Sequence, residues 1–340
     1  MQYTQLGNTG LRVSRSGFGA LPIQRLSIED AGDLLRRAFD GGINFFDTAR
    51  AYSNSEEKVG LALGGVRDRF FLATKTQATT VEGFEADLAK SLILLKTDHV
   101  DIYQFHNPKE VPLRESPLYE CMLKARAEGK IRFIGITNHR IDNALTAIRS
   151  GLYDTLQYPL SALSGEKELD MVAEGGRRGM GVIAMKALCG GLLTSADLSM
   201  SCLRPMTHVV PIWGFQRPAE VDEVLSLEET IGDLTGEMRA RIERVRSELG
   251  KDFCRGCGYC QPCPKGIEIQ NCARMPFLLR RAVWQNFTSP EGREKMERIE
   301  TCINCGACKS RCPYELDCPS LLRAALADFR AFIAEKGLVA

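Results

Sequence analysis

Eight short β-rich runs, spaced by amphipathic helical patterns, occupy roughly residues 12–225 and constrain the fold more than any other feature of the chain. They read "VSRSGFGA", "INFFDTA", "RFFLATK", "HVDIYQFH", "IRFIGIT", "YDTLQYP", "GVIAMKA" and "HVVPIWG". Between the first two, "SIEDAGDLLRRAFDGG" offers Ser27 as an N-cap, apolar Leu34, Leu35 and Phe39 at helical spacing, and Gly41 or Gly42 as a stop. "TVEGFEADLAKSLILLKTD", "SPLYECMLKARAEGK" and "IDNALTAIRSG" repeat the arrangement. Regular β-then-α alternation implies right-handed crossovers and a parallel sheet. Eight such units predict an α/β fold, a (β/α)8 TIM barrel.

The pattern changes near residue 230. "EETIGDLTGEMRARIERVRSELG" reads as a charged helix or helix pair with no strand after it, and helical segments then alternate with two cysteine runs. We therefore expect a barrel over 1–230 and a mainly α-helical, ferredoxin-like iron–sulfur domain over 231–340. With 44 Lys+Arg against 43 Asp+Glu, the chain has no electrostatic footprint for nucleic acid or an anionic membrane. The opening "MQYTQLGNTGLRVSRSGFG" lacks a basic stretch followed by an apolar core, and no window reaches bilayer length, so a cytoplasmic setting is expected. Thiols stay reduced there, and clustered cysteines are metal ligands before they are disulfides.

The first run, "CRGCGYCQPCP", holds Cys254, Cys257, Cys260 and Cys263; the second, "CINCGACKSRCP", holds Cys302, Cys305, Cys308 and Cys312. Cys-x2-Cys-x2-Cys puts three thiolates on one tight loop, suited to three corners of an iron–sulfur cube. The fourth ligand comes from the other run in two-cluster ferredoxins. That rule assigns Cys254, Cys257, Cys260 and Cys312 to one 4Fe–4S cluster, and Cys302, Cys305, Cys308 and Cys263 to a second. Cys263 comes one residue early in its run, so Cys272 and Cys318 are substitutes for it, or else plain packed thiols. The alternative metal is zinc, but its four-cysteine sites join two separated Cys-x2-Cys knuckles, which the three evenly spaced thiols of each run do not resemble.

The reactive face of such a barrel is the C-terminal end of its strands. There "FFDTARAY" supplies Asp47 and Tyr52, "ATKT" supplies Lys75 and "YQFHN" supplies His106. A tyrosine with its ordinary pKa near 10 needs a nearby cation to exchange protons at neutral pH. Lys75 supplies that charge, Asp47 holds Lys75, and His106 orients a substrate oxygen. The set suits a carbonyl that takes hydride at carbon while Tyr52 gives a proton to its oxygen, or the reverse for an alcohol.

The stretches "YTQLGNTGLRVSRSGFG", "GINFFDTARAYSNSEEKVGLAL", "LATKT", "DIYQFHN", "IGITNH" and "PIWGFQRPAEVDEVL" resemble the aldo-keto reductases over about the first 225 residues. The added tail is similar to the branch with a C-terminal 4Fe–4S ferredoxin-type domain. The resemblance implies that Asp47, Tyr52, Lys75 and His106 are the family's tetrad, with Tyr52 the general acid/base. It further implies that Thr137, Asn138 and Gln157 hold a nicotinamide carboxamide. Gly214, Phe215, Gln216 and Arg217 would form the phosphate loop, with Arg217 or Gln216 at the 2′-phosphate of NADP. The chain departs from the pattern at Met185, where many members stack an aromatic ring on the nicotinamide, and at bulky Trp213 and Phe215.

A 4Fe–4S cluster passes single electrons whereas nicotinamide delivers a pair, and no sequence signal announces a flavin between them. Three readings follow: an NADP(H)- or NAD(H)-dependent reductase of a small-molecule carbonyl or alcohol with structural clusters; a ferredoxin-linked enzyme, with or without flavin, whose clusters supply electrons; and an electron-transfer or sensing module. The tetrad argues against the last. Cys189 lies just past the seventh run on the reactive face, as a residue near the pocket or a buried strand-end thiol; Cys121 and Cys202 read as core; and His139, after Asn138, reads as a contact to substrate or cofactor or as a loop histidine bonded to backbone.

Overall fold

The computed structural model of the protein describes residues 1–189, 193, 196–249, 253–256, 258, 260–281, 284–312 and 314–338. They divide into two compact units, one reaching Thr235 and the other beginning at Gly236. No helix among the described residues is long and apolar enough to cross a membrane.

In the first unit, β1 (Tyr3–Gln5) and β2 (Arg12–Ser14) form an antiparallel hairpin. Eight parallel strands follow and close into a barrel, with the last paired to the first: β3 (Gly17–Gly19), β4 (Phe45–Asp47), β5 (Phe71–Thr76), β6 (Val100–His106), β7 (Ile131–Thr137), β8 (Thr155–Pro159), β9 (Gly181–Met185) and β10 (Val209–Trp213). Each barrel strand leads to a helix: α1 (Ile28–Asp40), α2 (Ser55–Leu63), α3 (Val81–Leu95), α4 (Pro117–Ala127), α5 (Ile141–Ser150), α6 (Glu166–Arg177), α7 (Asp197–Leu203) and α8 (Pro218–Thr230). Ser27 caps α1, its Oγ accepting from the Asp30 amide at 3.0 Å, as its place in the sequence predicts.

The first β-rich run is two elements rather than one. Val13 and Ser14 belong to the hairpin and Gly17 opens the barrel. Between them the Arg15 amide donates to the Gln2 carbonyl at 2.9 Å and Ser14 Oγ donates to the Ser16 carbonyl at 2.7 Å, which turns the chain from one sheet into the other.

Strand alternation sorts the side chains. Ile102 packs inside the barrel with Phe45, Ala73 and Ile183, while Tyr103, next along β6, lies outside against Phe84 of α3, with ring centroids 5.4 Å apart. Leu6, Leu11 and Val13 of the hairpin are buried against that interior set and plug the end of the barrel away from the strand C-termini. Gly7 makes the plug possible. Its φ is +53°, and a Cβ there would stand 2.2 Å from the Gly181 amide nitrogen at the start of β9.

The second unit contains α9 (Gly236–Leu249), α10 (Ile269–Cys272), α11 (Met275–Arg281), α12 (Pro290–Glu297), α13 (Ala307–Ser310) and α14 (Cys318–Glu335), with no strand among the described residues. Leu279, Met296, Ile299, Leu322 and Phe329 form its core. This is a (β/α)8 barrel followed by a mainly helical unit.

Gly7→Ala should cost about 2–4 kcal/mol, from left-handed strain together with overpacking against backbone. Thermal unfolding checks this; an unchanged midpoint would show that the plug does not need a glycine at position 7.

Candidate active site

Four side chains from three adjacent strand ends meet inside the barrel mouth. Asp47 ends β4 and Lys75 lies on β5; both are buried, and Lys75 Nζ is 2.6 Å from Asp47 Oδ2. Lys75 Nζ also donates to the Thr48 carbonyl at 2.6 Å. Asp47 has two further donors, Gln104 Nε2 on Oδ1 at 3.1 Å and Gln157 Nε2 on Oδ2 at 3.3 Å. Burial pushes the Asp47 carboxyl above the usual carboxylate range, while Lys75 and the two glutamines act the other way.

Tyr52 lies beyond β4, on a turn with the Tyr52 amide donating to the Ala49 carbonyl and the Ser55 amide donating to the Tyr52 carbonyl. The turn is pinned at both ends. Ser55 Oγ donates to the Ala20 carbonyl at 2.8 Å and lies 2.9 Å from Thr48 Oγ1. Glu56 beside it is buried, accepts from Thr74 and Ser91 at 2.6 and 2.7 Å, and pairs with Arg50. The phenol ring stands with its centre 5.1 Å from Lys75 Nζ and meets the His106 ring edge-to-face at 5.6 Å. Burial pushes the phenol's pKa up; the charge and hydrogen bond of Lys75 pull it down, and Asp47 raises it. The four residues singled out in the sequence are thus brought together, with the cation beside the ring that needs it.

His106, at the end of β6, has an enclosed Nδ1 with no partner among the described residues. Burial and the nearby Lys75 lower its pKa to about 3. The ring is therefore neutral at physiological pH, suited to a hydrogen bond with a substrate oxygen rather than to proton transfer.

The remaining barrel residues are placed as follows. Thr137 at the end of β7, Asn138 just beyond it and Gln157 in the middle of β8 are all buried. Asn138 gives one N–H to the Pro108 carbonyl and accepts from the Arg140 amide. Met185, half-buried at the end of β9, packs on the barrel's interior cluster. Gly214 is exposed, whereas the Phe215 ring turns into the core against Phe18, 5.2 Å between centroids. Trp213 is buried too and donates to Ser16 Oγ. The two bulky side chains therefore do not crowd the loop, and Phe215 offers it only backbone. Glu220 of α8 accepts from the amides of Gln216 and Arg217 at 2.7 and 3.2 Å and from the Arg217 guanidinium at 2.7 Å. Cys189 donates to Ser161 Oγ at 2.9 Å, and His139 meets Asn107 through its backbone amide and its ring. Gln104, which reading the sequence passed over, occupies the centre of the site. It stands two residues before His106 on one strand, and that shared parity was the available signal.

In the second unit the thiols line two hollows. Cys263, Cys302, Cys305 and Cys308 line one; Cys254, Cys260, Cys312 and Cys318 line another. Cys260 borders both, and Cys257 lies outside the described residues. Among the described residues no three ligating side chains converge tightly enough for a single ion. Gln261 bends the first loop, accepting from the Cys263 amide and donating to the Ile267 carbonyl, both at 2.9 Å. That bend presents Cys263 to the second run despite the short spacing. Cys272 lines neither hollow. It is buried in the core, its pKa pushed up to about 11 mainly by burial.

The lowered pKa of His106 makes a sign-definite prediction. The native ring binds fewer protons than the unfolded chain between about 3 and 6.5, so it withdraws stability as pH falls through that window. Ring shifts of His106 followed by NMR should stay constant from pH 8 to pH 5, whereas a midpoint near 6.5 would contradict the geometry.

Comparison with known proteins agrees with the two-part architecture. The aldo/keto reductase family model matches residues 16–226, and a 4Fe-4S dicluster domain model matches residues 253–317. The aldo-keto reductase YhdN of Bacillus subtilis is 34% identical over 222 residues, covering 57% of this chain and 64% of its own length. L-Galactose dehydrogenase of Arabidopsis thaliana is 35% identical over 211 residues, covering 56% and 66%. The chain thus spans just under two thirds of the length of these relatives. An aldo-keto reductase from Klebsiella pneumoniae in complex with NADPH shares the fold, with a TM-score of 0.61 and 24% identity over 72% of this chain and 95% of that one. With the family model covering more than half of its length, the chain belongs to the aldo/keto reductase family and carries a 4Fe-4S dicluster domain behind the barrel.

Proposed function

We propose that the barrel interconverts a small-molecule carbonyl and its alcohol, with Tyr52 as general acid/base and NADP(H) or NAD(H) as redox cofactor, and that the second unit holds two 4Fe–4S clusters. The observation that carries the reading is the buried Lys75–Asp47 pair at 2.6 Å with the Tyr52 ring 5.1 Å from Lys75 Nζ. In the reductive direction the phenol's proton passes to the substrate oxygen, and Lys75 stabilises the phenolate that remains. Neutral His106 orients that oxygen. The turn that carries Tyr52, pinned at Ser55 and Glu56, fixes the phenol's approach.

When bound, the nicotinamide supplies hydride. The residues present fit such a group: a side-chain amide has two donors, and Asn138 and Gln157 each have one hydrogen bond from their nitrogen that they must keep and one N–H to offer a carboxamide oxygen. Thr137 is in register with Gln157 across β7 and β8, and Met185 with Pro159 across β8 and β9. The backbone amides of Gln216 and Arg217 at the start of α8 suit a phosphate once Glu220 yields them, and Arg217, exposed on its surface, suits a 2′-phosphate. The Klebsiella pneumoniae aldo-keto reductase that shares this fold binds NADPH, which is in keeping with a nicotinamide cofactor here.

When bound, the clusters supply one-electron chemistry. We assign Cys254, Cys257, Cys260 and Cys312 to one, and Cys302, Cys305, Cys308 and Cys263 to the other. The support is the crossed lining of the two hollows, Cys312 with the first run and Cys263 with the second. A second reading, in which the clusters exchange electrons with a ferredoxin-like partner directly or through a flavin, draws on one observation. Cys305 is exposed, and beside it Ile303 is 59% exposed, so that hollow lies at the surface.

Tyr52→Phe should lower turnover of a test aldehyde by about 10²–10⁴-fold while leaving iron and sulfide content unchanged. Turnover at the wild-type rate would sink the proposed acid. Cys263→Ser and Cys312→Ser should each halve the iron, roughly, since each removes one cluster's fourth ligand. Full iron in both would overturn the crossed assignment.

A further inference from the structure

A buried glutamine that the chemistry above does not use stands between its two halves. Gln104 is 0% exposed, and its Nε2 donates to Asp47 Oδ1 at 3.1 Å and to Gln157 Oε1 at 3.0 Å. Both of its N–H donors are thereby committed. A carboxylate only accepts, so the Asp47 contact requires the nitrogen of Gln104 to face it. The same logic passes to Gln157, whose oxygen takes a proton from Gln104 and whose nitrogen donates to Asp47 Oδ2 at 3.3 Å. One N–H of Gln157 is left for a ligand.

The neighbouring strand leaves room for this arrangement. Gln104 is in register with Gly135, and a Cβ on Gly135 would stand 2.7 Å from Gln104 Cγ and 2.6 Å from Thr155 Oγ1. Packing alone does not explain a glutamine here, because Gln104 Oε1 has no partner among the described residues, and an apolar side chain would avoid that unmet acceptor.

We propose that Gln104 is a positioning residue of the reductase site, its amide tying the Asp47–Lys75 pair to Gln157 so that the proton-transfer group and the carboxamide-binding group are held by one hydrogen-bonded chain. The inference rests on the reductase reading above. It says that removing the Gln104 amide disturbs cofactor binding and proton transfer together. The ionisable groups around Asp47 are Lys75, Tyr52 and His106, and His106 stays neutral above about 3. The acid limb of the pH profile therefore reports Asp47. Losing a donor makes its carboxylate easier to protonate, which moves that limb upward.

The test uses the full chain with its clusters in place and compares wild type with Gln104→Met, which keeps the volume and removes both donors. NADPH affinity, followed by fluorescence, should fall about tenfold, the loss expected for one hydrogen bond to a buried amide. The acid limb of kcat/KM for a test aldehyde should move to higher pH. Gln104→Glu serves as a second variant if the first does not fold. Its protonated carboxyl restores one donor at low pH and repels Asp47 once ionised, so its activity should fall as pH rises where wild type holds steady. Wild-type affinity and an unshifted profile in whichever variant folds would overturn the proposal. A Tyr52→Phe protein that still turns over would instead overturn the reductase reading itself, so the two failures are distinguishable.

Discussion

Lys75 and Asp47 sit 2.6 Å apart in the closed interior of the barrel, each almost wholly removed from solvent. Desolvation makes an isolated charge there very costly, and losing either partner would strand the other. The arrangement holds because every oxygen of Asp47 has a donor and Lys75 adds the Thr48 carbonyl to its carboxylate. The site depends on this pair. Lys75 lies beside the Tyr52 ring, and its charge helps to keep His106 neutral. The shape of the barrel serves the same end, since β4, β5, β6 and β8 bring Asp47, Lys75, Gln104 and Gln157 within hydrogen-bond reach of one another.

The second unit rests on a different constraint. Its loops supply thiols around two hollows, and its helices carry a modest core of Leu279, Met296, Ile299, Leu322 and Phe329. In such small units ligand binding and folding are coupled, so clusters would add stability whether or not they also carry electrons. The proposed barrel chemistry moves an electron pair with a proton, while a cluster moves single electrons. Both requirements can coexist in one chain without either depending on the other.

Much of this was legible in the sequence, for reasons that also explain what was not. The eight strands and their helices follow from hydrophobic period and caps such as Ser27, and the tetrad follows from strand-end positions of Asp47, Lys75 and His106. The break at Arg15–Ser16 was hidden because hydrogen bonds to Gln2 and within the turn, not composition, divide the run. Gln104 was hidden because a glutamine among Ile, Tyr and Phe carries no local signal until its parity with His106 is counted. Trp213 and Phe215 read as obstacles in the phosphate loop, but whether a side chain faces loop or core is decided by tertiary packing, here against Ser16 and Phe18. Likewise the early Cys263 depends on Gln261, whose role is a loop hydrogen bond that spacing alone does not reveal.

The most direct test of the central claim follows the hydrogen rather than the rate. NADPH carrying deuterium at the transferable position of the nicotinamide is incubated with the protein and a test aldehyde, and the alcohol is analysed by mass spectrometry. Direct hydride transfer at the Asp47–Lys75–Tyr52–His106 site predicts one deuterium on the alcohol carbon. Alcohol formed with only solvent hydrogen at that carbon would mean that the electrons arrive singly by another route, and would contradict the account.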